Sequence, residues 1–118
     1  MIYILFFSSN MNKVLVGKGN LAGKGVFATR DFKKGEVVIK YHLKPLTEEE
    51  YKHLPKREKY FVHKHGRTYH LYSSPERYVN HSKHPNTRQD LKKGCDIAKK
   101  SIKKGEEITT DATKDDTP

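Results

Sequence analysis

The run Arg77-Tyr78-Val79-Asn80-His81-Ser82-Lys83-His84-Pro85-Asn86 places an amide beside an imidazole. Asn80 can donate and accept hydrogen bonds through its side chain, and a neutral His81 presents one donor and one acceptor. Such a pair holds a ligand or satisfies itself within a core; taken in isolation, the second reading is the commoner one. Asn80-His81-Ser82 also fits the N-glycosylation pattern, read as coincidence because no secretory signal accompanies it. Gly23-Lys24-Gly25 is the second candidate. Missing Cβ atoms let backbone approach a ligand closely, and the bland alternative is a tight turn. The segment is not a dinucleotide fingerprint, since the third glycine is missing and no long helix is predicted after it. His63, His65 and His70 cluster by sequence, but no carboxylate or cysteine completes a metal-ligand set, so they read as hairpin surface.

The elements that must position these residues are short. Residues 13–16 predict a strand, followed by a loop containing Gly17, Gly19, Gly23 and Gly25. Val26-Phe27-Ala28 predicts another strand, and 37–41 a β-branched one. The turn Arg30-Asp31-Phe32-Lys33-Lys34-Gly35-Glu36 has a near copy in Lys100-Ser101-Ile102-Lys103-Lys104-Gly105-Glu106. Each copy precedes a run suited to a strand, and its glycine fits a backbone position with positive φ. Thr47 and Glu50 form a capping-box pattern that opens a helix over 48–54, stopped at Pro55. Residues 60–64 and 67–72 predict a hairpin around His65-Gly66. Ser74 as N-cap and Pro75 at the first helical position predict a short helix leading to Asn80 and His81. Many short strands, few helices and no βαβ rhythm describe a small β-rich domain.

Set in this order, the motifs resemble those of SET domains, the protein-lysine methyltransferase fold. The run at 77–86 resembles that family's signature Arg-Phe/Tyr-x-Asn-His-Ser-x-x-Pro-Asn, and the spacing of Pro85-Asn86 makes the ligand-binding reading of Asn80-His81 the stronger one. Gly23 to Ala28 looks like the first motif, Gly-x-Gly-Val-Phe-Ala, and Asp96 to Thr109 looks like the closing segment. The resemblance covers residues 13–112 and implies a mainly β fold with short helices (α+β): a β-clip of small sheets with a C-terminal pseudoknot. It implies S-adenosylmethionine (SAM) as cofactor, bound by Gly23, Lys24, Gly25, Asn80 and His81, with Arg77 as a structural support. It also implies transfer of a methyl group to a lysine of a protein, through a tyrosine-lined channel that favours the neutral amine by burial. One position departs from the pattern. Where the family places its last catalytic tyrosine, this chain has Ala112. Tyr69, Tyr72 and Tyr78 are the nearby sources of a substitute hydroxyl. Tyr78, inside the signature, is the catalytic candidate, while Tyr69 and Tyr72 read as packing aromatics. The alternative is a SET-like binding module with little or no catalysis.

The chain has 118 residues, of which 34% are hydrophobic and 32% charged, enough for one domain with a modest core. Seven Tyr and five Phe argue against disorder over most of the length. The expected organisation is an extension or edge strand over 1–10, the domain over 11–112, and a polar tail over 113–118. A formal net charge of +10 favours acidic partners, so the protein substrate is expected among chromatin or nucleic-acid-binding proteins, with non-specific nucleic-acid binding as a weaker alternative. The lysines fall in scattered pairs, which suits turns and strand edges. Cys95 is the only cysteine, consistent with a reducing, intracellular setting in cytoplasm, nucleus or nucleoid. The apolar stretch at 1–7 is too short to span a membrane and lacks the basic start of a signal peptide.

Overall fold

The β-branched run at Val37–Lys40 forms a strand, as do the less patterned segments Lys44–Leu46, Thr87–Asp90 and Cys95–Ala98. The computed structural model describes residues 13–19 and 23–113. The expected extension or edge strand at 1–10, and residues 114–118 of the tail, lie outside them. The strands are β1 (Val14–Lys18), β2 (Lys24–Ala28), β3 (Val37–Lys40), β4 (Lys44–Leu46), β5 (Val62–His65), β6 (Thr68–Leu71), β7 (Asn80–His81), β8 (Thr87–Asp90), β9 (Cys95–Ala98) and β10 (Glu107–Thr110). Two short helices, α1 (Glu48–Lys52) and α2 (Lys56–Lys59), and a 3-10 turn at Glu76–Tyr78 complete the described residues. The strands form three small sheets among those residues, in the orders β1-β2-β10-β7, β3-β9-β8 and β4-β6-β5.

The repeated turn is a repeated structure. In each copy the carboxylate of the final Glu accepts a hydrogen bond from the first Lys N–H, at 2.7 Å for Glu36 and Lys33 and 2.8 Å for Glu106 and Lys103. Gly35 and Gly105 both lie at positive φ, 92° and 91°, where an L side chain is strained. Phe32 and Ile102 exchange backbone hydrogen bonds at 2.7 and 2.9 Å, so the two turns face one another. Both side chains are buried there, with Val26, Val38, Ile39 and Ile108. The small core therefore sits where the two copies deliver their chains into β3 and β10.

The capping box at Thr47 and Glu50 is present, with reciprocal bonds of 3.0 Å each, and opens α1. The helix ends at Lys52, with His53 as its cap, and α2 starts beyond Pro55, where the sequence suggested only a stop. Ser74 is not an N-cap. The 3-10 turn begins one residue later than expected, leaving Pro75 at the cap position with no side-chain cap bond and a cis peptide to Ser74. Glu76 takes over the local backbone instead, accepting the N–H of Ser73 at 3.1 Å and of His42 at 2.7 Å. The histidines do not all lie on the hairpin surface. His63 is exposed, whereas His65 and His70 are half-buried.

The closing strand β10 is enclosed. It pairs antiparallel with β2, Ile108 opposite Val26, and parallel with β7, Thr109 beside Asn80 and Thr110 beside His81. The segment following β7 also holds it, since Asn86 Nδ2 donates to Glu107 O at 2.9 Å and Asn86 Oδ1 accepts the Thr109 N–H at 2.9 Å. Thr87 Oγ1 adds a bond to Thr109 O at 2.7 Å. β10 is thus an inner strand of its sheet, between β2 and β7.

Candidate active site

Successive residues of a strand point to opposite faces, and β10 uses both. On the face of Thr109, a cleft of about 670 Å³ opens along β7 and the second twin turn, lined by Asn80, His81, Ser82, Lys83, Glu106 and Glu107 among others. Asn80 is fixed there by two bonds from its Nδ2, to Glu107 Oε2 at 2.8 Å and to Lys24 O at 3.0 Å. Gly25 lies against the same carboxylate. A Cβ at Gly25 would stand 2.6 Å from Glu107 Oε2 and 3.0 Å from the Gly19 Cα. The glycine is thus favoured by the close approach of Glu107 and of the Gly19 backbone, whereas Gly23 is favoured by its positive φ of 64°. Of the five residues expected to bind a cofactor, Asn80 and His81 line the cleft. Lys24 joins them through its carbonyl, and Gly23 to Gly25 stand behind Asn80 rather than in the cleft wall.

The face of Thr110 borders a smaller cavity of about 180 Å³, walled by Tyr41, Phe61, His63 and Tyr72 and reached by Asp96 and Ala112. Tyr41 donates its hydroxyl hydrogen to Asp96 Oδ1, and both side chains are buried. Burial pushes the Asp96 carboxyl up to about 7, against the pull of the Tyr41 hydrogen bond and with a further push from Glu76. Burial, and then the neighbouring Asp96 charge, raises the Tyr41 phenol far above its ordinary range. The Tyr72 ring lies 5.7 Å from Tyr41 and 4.4 Å from His63, centre to centre. Although His63 is exposed as a whole, desolvation where its ring packs on Tyr72, and next His65, holds it below the usual imidazole value. Glu76, its side chain 1% exposed, also lines the cavity. Its Oε1 accepts no hydrogen bond and has the His42 Nδ1 at 3.7 Å. The buried Thr110 Oγ1 is likewise without a hydrogen-bond partner.

The two faces meet at His81 and Ala112. The Ala112 N–H donates to His81 Nδ1 at 3.0 Å, so a neutral His81 carries its proton on Nε2. Asp111 Oδ1 lies 3.6 Å from the same nitrogen.

Tyr78 stands elsewhere. Its ring meets Phe61, a wall of the cavity, edge-on at 6.0 Å and carries the Lys24 ammonium 5.0 Å above it, and Tyr78 itself does not line the cavity. Tyr69 stacks on Tyr51 at 4.2 Å. Tyr72 therefore reaches the cavity from among the three tyrosines weighed, and Tyr41, Glu76 and Asp96 join it without having been singled out. Asp96 had a visible signal: a carboxylate in the otherwise apolar run Cys95-Asp96-Ile97-Ala98, every residue of which is buried. Arg77 is the support expected of it, with a two-pronged ion pair to Glu58 at 3.1 and 3.2 Å and its Nε donating to Tyr72 O at 2.8 Å. Among the described residues, no group of three or more His, Cys, Asp or Glu is placed to hold a metal ion. No helix among them is long and apolar enough to cross a membrane.

The model of the SET domain matches residues 23–111. The chain belongs to the SET-domain family. This is a methyltransferase family, and the mainly β architecture with few short helices is its fold. A solved structure of a candidate histone methyltransferase from Plasmodium falciparum superposes with a TM-score of 0.69. It is 23% identical in sequence, over 86% of this chain and 94% of the other. No curated protein matches the sequence. In this SET domain the position resembling the family's last tyrosine is the cavity-lining Ala112, and the tyrosines that line the same cavity are Tyr41, Tyr60 and Tyr72.

Proposed function

We propose that this SET domain is a SAM-dependent protein-lysine N-methyltransferase. The observation that carries the reading is the alternation on β10: Thr109 lines the large cleft and Thr110 the aromatic cavity, so two recesses back onto one strand. The cleft suits a cofactor with both charges and a nucleoside. Glu106 and Glu107 match its cationic groups, Lys83 its carboxylate, and the side chains of Asn80, His81 and Ser82 its polar edges. Bound there, SAM would supply an activated methyl group. The cavity, walled by tyrosine and phenylalanine rings, suits the aliphatic stem of a lysine. The net charge of +10 favours an acidic protein partner.

Calorimetry with SAM, followed by labelled-methyl transfer onto lysine-rich proteins, tests this reading. Heat of binding and label on lysine are expected. Absence of binding at millimolar SAM overturns it. A second reading, a SET-like binding module with little catalysis, is favoured by the methyl group of Ala112 where a hydroxyl is expected. Ala112→Tyr separates the two: a silent wild type that gains transfer on this substitution is a module that lost its chemistry at one position.

A further inference from the structure

A groove of about 380 Å³ lies on the three-stranded sheet β3-β9-β8, lined by Lys34, Gly35, Arg88, Ile97, Ala98 and Lys99. It shares no lining residue with the cleft or with the aromatic cavity. Half of its lining residues are cationic and none is acidic. Backbone pairing places the three charges. The Gly35 N–H donates to Ala98 O and the Ala98 N–H to Glu36 O, both at 2.9 Å, which pins the turn carrying Lys34 to the end of β9. Arg88 stands opposite Ile97 in the register of β8 and β9, and the Lys99 N–H donates to Asn86 O at 2.8 Å. All three cationic residues are exposed. Lys34 and Lys99 enter no ion pair among the described residues. Arg88 faces the Asp90 carboxylate at 3.8 Å, too far for a hydrogen bond. The charges around the groove have the same sign. Lys33, Lys100, Lys103 and Lys104 are all exposed on or beside the twin turns. The carboxylates among them are turned to backbone: Glu36 accepts the Lys33 N–H, Glu106 that of Lys103 and Asp31 that of Lys104.

We infer that this groove binds the phosphodiester backbone of a nucleic-acid duplex. The Arg88 guanidinium offers a fork of N–H donors that matches phosphate oxygens, and Lys34 and Lys99 add point charges beside it. The lining holds no aromatic ring, so it offers no platform on which an unpaired base could stack, and this favours a duplex over a single strand. A duplex turns its charges outward at regular spacing. Cations delivered by three separate elements onto an open sheet face meet such a line of charge without reading base edges, so the contact fixes position and carries no sequence preference. The net charge of +10 adds long-range attraction to the same ligand. Because the groove stands apart from the cleft and the cavity, a duplex held there leaves both recesses open.

The test is fluorescence anisotropy of a short labelled DNA duplex, titrated with the whole chain at several salt concentrations. Two triple variants are compared with wild type. Lys34→Gln with Arg88→Gln and Lys99→Gln removes the charge of the groove. Lys52→Gln with Lys56→Gln and Arg67→Gln removes the same charge from exposed positions on α1, α2 and the turn between β5 and β6. The groove variant is expected to bind at least about tenfold more weakly, and its plot of log affinity against log salt to flatten by about 3. The other variant is expected to lose less than about threefold. Equal weakening of the two variants overturns the site, because binding then follows net charge alone. Absence of duplex binding near physiological salt also overturns it. A glutamate-rich peptide or a DNA single strand that binds through the groove more tightly than the duplex at the same salt overturns the choice of ligand. The measurement uses neither SAM nor methyl transfer, so its failure leaves the proposed methyltransferase standing. A protein that grips the duplex through the groove but does not bind SAM keeps the groove and loses that function.

Discussion

Substituting Gly25 by alanine tests whether the first motif acts through Glu107 rather than through direct contact with a ligand. The added Cβ would stand 2.6 Å from Glu107 Oε2 and 3.0 Å from the Gly19 Cα. The carboxylate is the end of a flexible side chain and can rotate away, so the steric cost is modest. The backbone at Gly19 must also give by a few tenths of an ångström. The larger cost is chemical: moving Glu107 breaks its 2.8 Å bond from Asn80 Nδ2. A hydrogen bond to a charged group is worth about 1.5–3 kcal/mol. For a domain of this length 1 kcal/mol moves Tm by about 4 °C, so a fall of about 6–12 °C is expected. Thermal unfolding of Gly25→Ala, Glu107→Ala and the double variant checks this. If Glu107 mediates the effect, the double variant is less destabilised than the sum of the singles, with a coupling of about 1 kcal/mol or more. Strictly additive losses would refute the interlock and leave Gly25 as a purely local backbone requirement.

Three further outcomes are expected. Asn86→Ala leaves the Thr109 N–H and the Glu107 carbonyl without their side-chain partner in a buried setting, so a loss of about 2–4 kcal/mol should appear in chemical denaturation, with faster hydrogen exchange along β10. Thr47→Ala removes the capping box of α1 and should cost about 1 kcal/mol, while the cleft amides keep their chemical shifts. Asp96, its folded value raised to about 7 from an ordinary 3.8, binds its proton more tightly folded than unfolded. Its stabilising contribution is present in full below about pH 4 and is lost as pH rises to about 7, with a slope of up to about 1.4 kcal/mol per pH unit. The difference in stability between wild type and Asp96→Asn, measured across that window, should therefore shift against wild type as pH rises. A flat difference would show that Asp96 ionises alike in both states.

What the sequence made legible was local or repeated. The twin Lys-Lys-Gly-Glu turns predicted their positive-φ glycines because the backbone requirement is met within four residues, and the Thr47–Glu50 box is just as short in range. The signature at Arg77 to Asn86 led to the cleft because Asn80 and His81 share one short strand. Tyr78 was placed near the chemistry by that same proximity, and the structure turns its ring toward Phe61 and Lys24 instead. Tyr41, Tyr72 and Asp96 are separated by 31 and 24 residues and meet only because β9 pairs with β3 while the segment after β6 folds back over both. No spacing rule connects them. Ser74 failed as a cap for a related reason: Glu76, anchored by Ser73 and by the distant His42, sets where the 3-10 turn begins.

Asn86 carries a consequence that joins the two recesses. Its side chain bonds both Glu107 O and Thr109 N, which fixes the rotation of β10 between β2 and β7. A strand held at both edges cannot turn Thr109 and Thr110 independently, because one residue of slip exchanges the two faces. The carboxylate of Glu107 on the cleft side and the hydroxyl of Thr110 on the cavity side are thereby set by one clamp. The link continues through the His81 ring, which touches the cleft and accepts the Ala112 N–H beside the cavity. A movement of His81 in the cleft would have to break and remake that bond of 3.0 Å. The absent hydroxyl at residue 112 leaves this backbone link in place, since it is made by the amide and not by the side chain. The hydrogen bond that joins the two faces is therefore separate from the hydroxyl that a tyrosine at that position would supply.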